Sequence, residues 1–155
     1  LHTVAPPPQR GEILHFAAGF TVVNDTYNSN PEALLSMVKT LVEGGASAKR
    51  KIVVAGEMRE LGPDAGRIHF ETGRRIAAAG VDRLVGVEGL AKNLIEGAGG
   101  VNSLETDFYE NSEIAGERLA DQLRAGDLVL VKGSRGVRTE KVIEKILERY
   151  ELEKL

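Results

Sequence analysis

The sequence predicts an α/β fold, a Rossmann-like and mostly parallel sheet of about six strands with helices on both faces. Three observations predict it. Short apolar, β-branched runs at 21–23, 52–55, 83–87 and 127–131 read as buried strands. Between them, apolar residues recur at helical spacing, so that strand and helix alternate about five times. The 155 residues, 42% hydrophobic and 28% charged, suffice for one soluble domain with a real core.

Taken in order, residues 12–16 form a strand candidate. They turn back through Ala17-Ala18-Gly19 into the strand that starts at Phe20, which predicts an antiparallel hairpin at the sheet's entry. The second strand turns abruptly polar at Asn24, Asp25, Thr26, Tyr27 and Asn28. Asn30 suits an N-cap, Pro31 the first helical position, and Glu32 the positive end of the helix dipole. Leu34, Leu35, Val38, Leu41 and Val42 then predict a helix over about 31–42, closed by Gly44-Gly45. Lys49-Arg50-Lys51 reads as a solvated strand entry. The strand at 52–55 leads into the loop Gly56-Glu57-Met58-Arg59-Glu60-Leu61-Gly62-Pro63, and a helix over about 64–79 is closed by Gly80.

The strand at 83–87 is followed by a weaker helix at 90–95, broken by Gly97-Ala98-Gly99-Gly100. Residues 107–109 are assigned to a strand from their place in the alternation. Asn111 or Ser112 caps a helix with Ile114, Ala115, Leu119 and Leu123 on one side. After the strand at 127–131 comes Lys132-Gly133-Ser134-Arg135-Gly136, then a helix carrying Val142, Ile143, Ile146 and Leu147. The charged tail 148–154 is expected to fray.

Composition narrows the function. A net charge of −3 argues against a general nucleic-acid binder. There is no cysteine, so disulfides and thiolate metal sites are excluded and a reducing compartment is permitted. No apolar run reaches the roughly 18 residues of a membrane span. His2, His15 and His69 lack metal-ligand spacing and read as structural or exposed, so no metal site is expected. The chain opens with Leu1, and Pro6-Pro7-Pro8 reads as a stiff linker. Residues 1–10 are therefore expected to be an interdomain linker and 11–155 a domain cut from a longer chain.

Right-handed crossovers place strand-end loops on one sheet edge, so the loops at 24–30, 56–63 and 132–136 should converge there. Asp25 can accept two hydroxyls, as from a ribose. Tyr27 can stack on a base, and Asn28 and Asn30 can bond phosphate oxygens or a base edge. Lys132, Ser134 and Arg135 between glycines suit an oxyanion, a carboxylate or phosphate. Glu57, Arg59 and Glu60 are candidates for a lesser contribution, since they can simply pair with one another. The G-x-x-x-x-G-K-[ST] loop, the G-x-G-x-x-G turn and the G-x-S-x-G elbow are missing. The chain reads as a binding half with no catalytic residue of its own.

At these residues the sequence resembles the C-terminal domain of the Mur ligases. Asp25-Thr26-Tyr27-Asn28-Ser29-Asn30-Pro31 is similar to the family's D-[ST]-Y-N-A-N-P, Gly56-Glu57-Met58-Arg59-Glu60-Leu61-Gly62 to its G-[DE]-M-x-E-L-G, and Val131-Lys132-Gly133-Ser134-Arg135 to its V-K-G-S-R. Ser29 stands where the family usually has Ala, and Asn24 where an apolar residue or second acid is expected. The Tyr-Asn pair and K-G-S-R resemble the members that add D-alanyl-D-alanine to UDP-N-acetylmuramoyl-tripeptide in peptidoglycan precursor synthesis.

The resemblance implies a bacterial, cytoplasmic, monomeric ligase that uses ATP and Mg2+ supplied by a central domain. This domain would swing in and close over ATP, beside central and N-terminal domains. Carried over by position, Asp25, Tyr27, Asn28 and Asn30 should face ATP. Lys132, Ser134 and Arg135 should face the incoming dipeptide or the phosphates. No nucleic-acid or membrane partner is implied, and the fragment alone should be inactive. The alternatives are another amino acid ligase of the same superfamily, or a non-enzymatic nucleotide-binding α/β module.

Overall fold

A computed structural model describes residues 10–101, 103–133 and 136–154. The expected hairpin is there: β1 (Glu12–His15) lies antiparallel to β2 (Thr21–Asp25), with Glu12 opposite Asn24 and His15 opposite Thr21. The remaining strands are β3 (Arg50–Gly56), β4 (Arg83–Val87), β5 (Glu105–Tyr109) and β6 (Asp127–Lys132), all parallel to β2. Strand order is β1-β2-β6-β3-β4-β5. The chain therefore enters at one edge, crosses to the middle, fills outward, and returns to insert β6 between β2 and β3.

Strand periodicity sorts the core into two layers. Ile52, Val54, Val85, Val129 and Val131 point to one face and pack with Val142 and Ile146 of α5 (Glu140–Arg149) and Leu119 of α4 (Ser112–Gln122). Val53, Leu84 and Leu130 point to the other face. There they meet Leu34 and Val38 of α1 (Pro31–Gly44), Ile76 of α2 (Ala65–Ala78) and Leu94 of α3 (Ala91–Ala98). Both faces are covered, which is why the central strands are apolar throughout rather than alternating.

Several expectations are corrected. Gly97 does not break α3 but lies inside it. A Cβ there would come within 1.9 Å of the Phe70 carbonyl oxygen, so glycine is what allows α3 to lie against α2. Arg50 is not solvated: its guanidinium forks onto Asp127, at 3.0 and 2.7 Å. Ile114 and Leu147 are exposed rather than core residues, because each sits at the edge of its helix's apolar stripe. Residues 62–64 form a short 3-10 turn ahead of α2.

The tail does not fray but is held as far as Glu153. The Tyr150 ring meets Phe20 edge-on and its hydroxyl donates to the Ala120 carbonyl. Ala17 N–H donates to the Glu151 carbonyl and Glu153 N–H to that of His15, so the tail pairs with the end of β1. The linker assigned to 1–10 lies outside the described residues except for Arg10.

Candidate functional site

The site is set by strand register. β2 and β6 are adjacent and parallel, and Asp25 stands opposite Lys132 at their carboxyl ends. The sequence reading ended each strand one or two residues early, so Asp25 and Lys132 belong to strands rather than loops. Side by side on one face, they form an ion pair with Lys132 Nζ 2.7 Å from Asp25 Oδ2. Lys132 also donates to the Asn28 carbonyl at 3.0 Å. The lysine side chain is 5% exposed and the aspartate 15%.

The polar run after β2 is held by its own members. Thr26 hydroxyl donates to Asn24 Oδ1 at 2.9 Å, and Asn24 Nδ2 donates to Glu12 Oε1 at 3.1 Å. Asn24, out of place as an apolar position, is thus a buried bracket between β1 and the loop. Asn28 Oδ1 accepts from Ser29 N–H at 2.9 Å, and Asn30 Oδ1 caps α1 by accepting from Ala33 N–H at 2.8 Å. Both asparagines remain exposed, with their Nδ2 donors outside these bonds. The Ser29 hydroxyl is buried without a partner among the described residues. One face of the Tyr27 ring lies under the Arg10 guanidinium, 3.9 Å from its centroid.

The second loop leaves the end of β3. Glu57 Oε2 accepts from Leu90 N–H at 2.6 Å, while Oε1 pairs with Arg59 Nε at 2.9 Å. Arg59 also reaches Glu88, 3.5 Å away. Met58 is buried, and its N–H donates to His69 Nε2 at 2.9 Å. His69 Nδ1 must then carry the ring proton and donate to the Ala65 carbonyl, 2.7 Å away. His69 is a buried structural histidine. Glu60 is exposed in the left-handed region, at φ 61.

The third loop closes onto both. A Cβ at Gly133 would stand 2.2 Å from Thr139 Oγ1, a buried hydroxyl without a partner among the described residues, so only glycine fits at that turn. The Gly136 backbone faces the Arg59 guanidinium, with a Cβ there 3.5 Å from its Cζ. The three loops therefore meet on one edge, where the end of β6 is bonded directly to the end of β2 and to the loop after it. Ser134 and Arg135 lie outside the described residues.

No site role is expected for Arg10 or Glu88 from the sequence. Arg10 falls at the end of the expected linker, with Gly11 between it and β1. Glu88 begins the turn after β4 with a φ of 71°, and the Glu-Gly pair was its available signal. Among the described residues no group of three or more His, Asp or Glu is placed to hold a metal ion. A groove of about 620 Å3 lies elsewhere, between the hairpin and α1, lined by Ile13, Val23, Met37 and Leu41. Its walls are mainly apolar, with His15, Thr40 and Ser47 among them.

Residues 9–135 match the model of the family described as Mur ligase, glutamate ligase domain. The chain is 28% identical over 142 residues to the UDP-N-acetylmuramoyl-tripeptide–D-alanyl-D-alanine ligase of Bacillus subtilis, covering 90% of this chain and 30% of that one. It is 33% identical over 144 residues to the ligase of the same name from Treponema pallidum, covering 92% and 30%. The crystal structure of the MurF ligase of Thermotoga maritima in complex with ADP superposes with a TM-score of 0.76 at 28% identity, over 94% of this chain and 32% of that one. The chain spans about three tenths of the length of these curated relatives.

Proposed function

The chain belongs to the family of Mur ligase glutamate-ligase domains, and from that membership we propose that it is the C-terminal domain of an ATP-dependent ligase joining D-Ala-D-Ala to UDP-N-acetylmuramoyl-tripeptide. One observation supports the reading most. The family-like segments D-T-Y-N-S-N-P and V-K-G-S-R are bonded to each other at the carboxyl edge of the sheet, through Lys132, Asp25 and Asn28. In open α/β sheets this is where ligands bind. The relative with ADP in its crystal structure shares the fold over nearly all of this chain.

In this reading, bound ATP and Mg2+ supply phosphoryl transfer to the tripeptide carboxylate, which the amine of the dipeptide then attacks with loss of phosphate. The residues of this chain bind, orient and exclude water. Asp25 keeps Oδ1 as an acceptor for ribose hydroxyls. The Tyr27 ring covers the base, and the exposed Nδ2 groups of Asn28 and Asn30 donate to the base edge or phosphate oxygens. The loop carrying Lys132, Ser134 and Arg135 faces the phosphates and the acceptor, with Glu57, Arg59 and Glu60 flanking it. Closure of this edge over the central domain excludes water from an activated, hydrolysable carboxylate. No described helix is long and apolar enough to cross a membrane. We place the protein in the bacterial cytoplasm, as a monomer whose partners are its own central and N-terminal domains.

The test is phosphate release by the full-length protein with ATP, Mg2+ and UDP-N-acetylmuramoyl-tripeptide, with and without D-Ala-D-Ala. Release that requires the dipeptide is expected. Release with a single amino acid instead would move the assignment to a sister ligase. No release with any acceptor would favour a non-enzymatic nucleotide-binding module.

A further inference from the structure

We infer that Lys132 is a positioning residue for the nucleotide-binding loop and not the cation that meets the acceptor. The inference rests on the proposed function, and it divides the labour within the loop that carries Lys132, Ser134 and Arg135.

Three observations carry it. Lys132 is the last residue of β6, so its place is fixed by the ladder to β2 rather than by a loop conformation. Two of its three ammonium hydrogens are already used, on Asp25 Oδ2 and on the Asn28 carbonyl. The acceptors are the last residue of β2 and the loop that follows it, a stretch of which four residues, Asp25, Tyr27, Asn28 and Asn30, are assigned to the nucleotide. The side chain is 5% exposed, beneath a more accessible aspartate and an exposed asparagine. A dipeptide carboxylate would have one ammonium hydrogen left to it, and would have to desolvate to reach an Nζ this buried.

Pairing from below ties down Asp25 Oδ2, which fixes the direction of Oδ1, an oxygen without a partner among the described residues. The same ammonium anchors the backbone at Asn28 and so sets where the amide of that residue projects. A positioning group of this kind organises the site before any ligand arrives.

The test uses the full-length protein and compares Lys132→Met, Asp25→Asn and the double variant. K132M is expected to raise KM for ATP about tenfold while KM for D-Ala-D-Ala stays within about twofold. The double variant is expected to match the worse single one within about twofold, because both changes break one unit. If K132M does not fold, K132R carries the same test, since it keeps the charge but not the geometry on both acceptors. A rise in the dipeptide KM with that for ATP unchanged would overturn the inference, as would no change in either or additive losses in the double variant. A wild-type protein without dipeptide-dependent turnover would overturn the proposed function itself, and this inference with it. An active wild type with an unmoved ATP KM in K132M would overturn the inference alone.

Discussion

Both edges of the sheet hold a carboxylate paired with a cation, yet the two pairs are built differently. At the amino edge, Asp127 takes the Arg50 guanidinium on both oxygens and also accepts the Arg124 N–H at 2.8 Å. That Arg50 donates a further bond to the Gln122 carbonyl. The hydrogen bond to Asp127, ahead of burial's opposing effect, raises the arginine's pKa above its ordinary value. At the carboxyl edge, Asp25 takes one bond from Lys132 on one oxygen. The first carboxylate is saturated, while the second keeps capacity for a partner. Saturation marks a pair that fastens strand entries and a turn. An under-used, pre-aligned carboxylate beside exposed asparagines is what the proposed nucleotide edge requires.

That difference can be broken by substitution. Asp127→Ala leaves Arg50 largely buried without its partner and is expected to cost about 3 kcal/mol in chemical denaturation. The ATP KM of the full-length protein should not move. A large KM change there would erase the distinction between the edges.

Gly133→Ala drives a methyl onto Thr139 and is expected to cost about 2 kcal/mol. Unlike Asp127→Ala, it should also weaken ATP binding, because it displaces the turn that follows Lys132.

The two helix caps sharpen the comparison further. Asn30→Ala and Asn111→Ala each remove a side-chain cap, at Ala33 and Ile114 N–H, and should each cost about 1 kcal/mol. Both helices begin at the carboxyl edge, but only Asn30→Ala is expected to raise the ATP KM, because Asn30 follows β2 and Asp25 whereas Asn111 follows β5 at the far side of the sheet. Equal kinetics for the two would reduce Asn30 to a cap.

The smallest effect belongs to Ile114→Ser, on the exposed side of α4. It should change stability by less than about 0.5 kcal/mol, and a larger loss would return this residue to the core.

Much of this was legible in the sequence because it is local. The strand at Arg83–Val87, the Asn30-Pro31-Glu32 helix start and the hairpin were all read from runs of two to six residues. The convergence of the three loops followed from crossover handedness alone. Long-range matters were not legible. The Arg50–Asp127 pair spans 77 residues, and the basic run that contains Arg50 looks like any solvated strand entry. Gly97 reads as a breaker until α2 is placed against it. The tail reads as frayed until Phe20 and the end of β1 are there to receive it. At the site, composition named Asp25 and Lys132 separately, but only the β2–β6 register made them partners.

The most direct test of the contrast between the edges is hydrogen–deuterium exchange of the full-length protein with and without ADP and UDP-N-acetylmuramoyl-tripeptide. The account predicts slower exchange at residues 24–30 and 132–136 on adding nucleotide, with residues 45–50 and 122–127 unchanged. Protection at the Arg50–Asp127 edge instead, or equal protection at both edges, would contradict it.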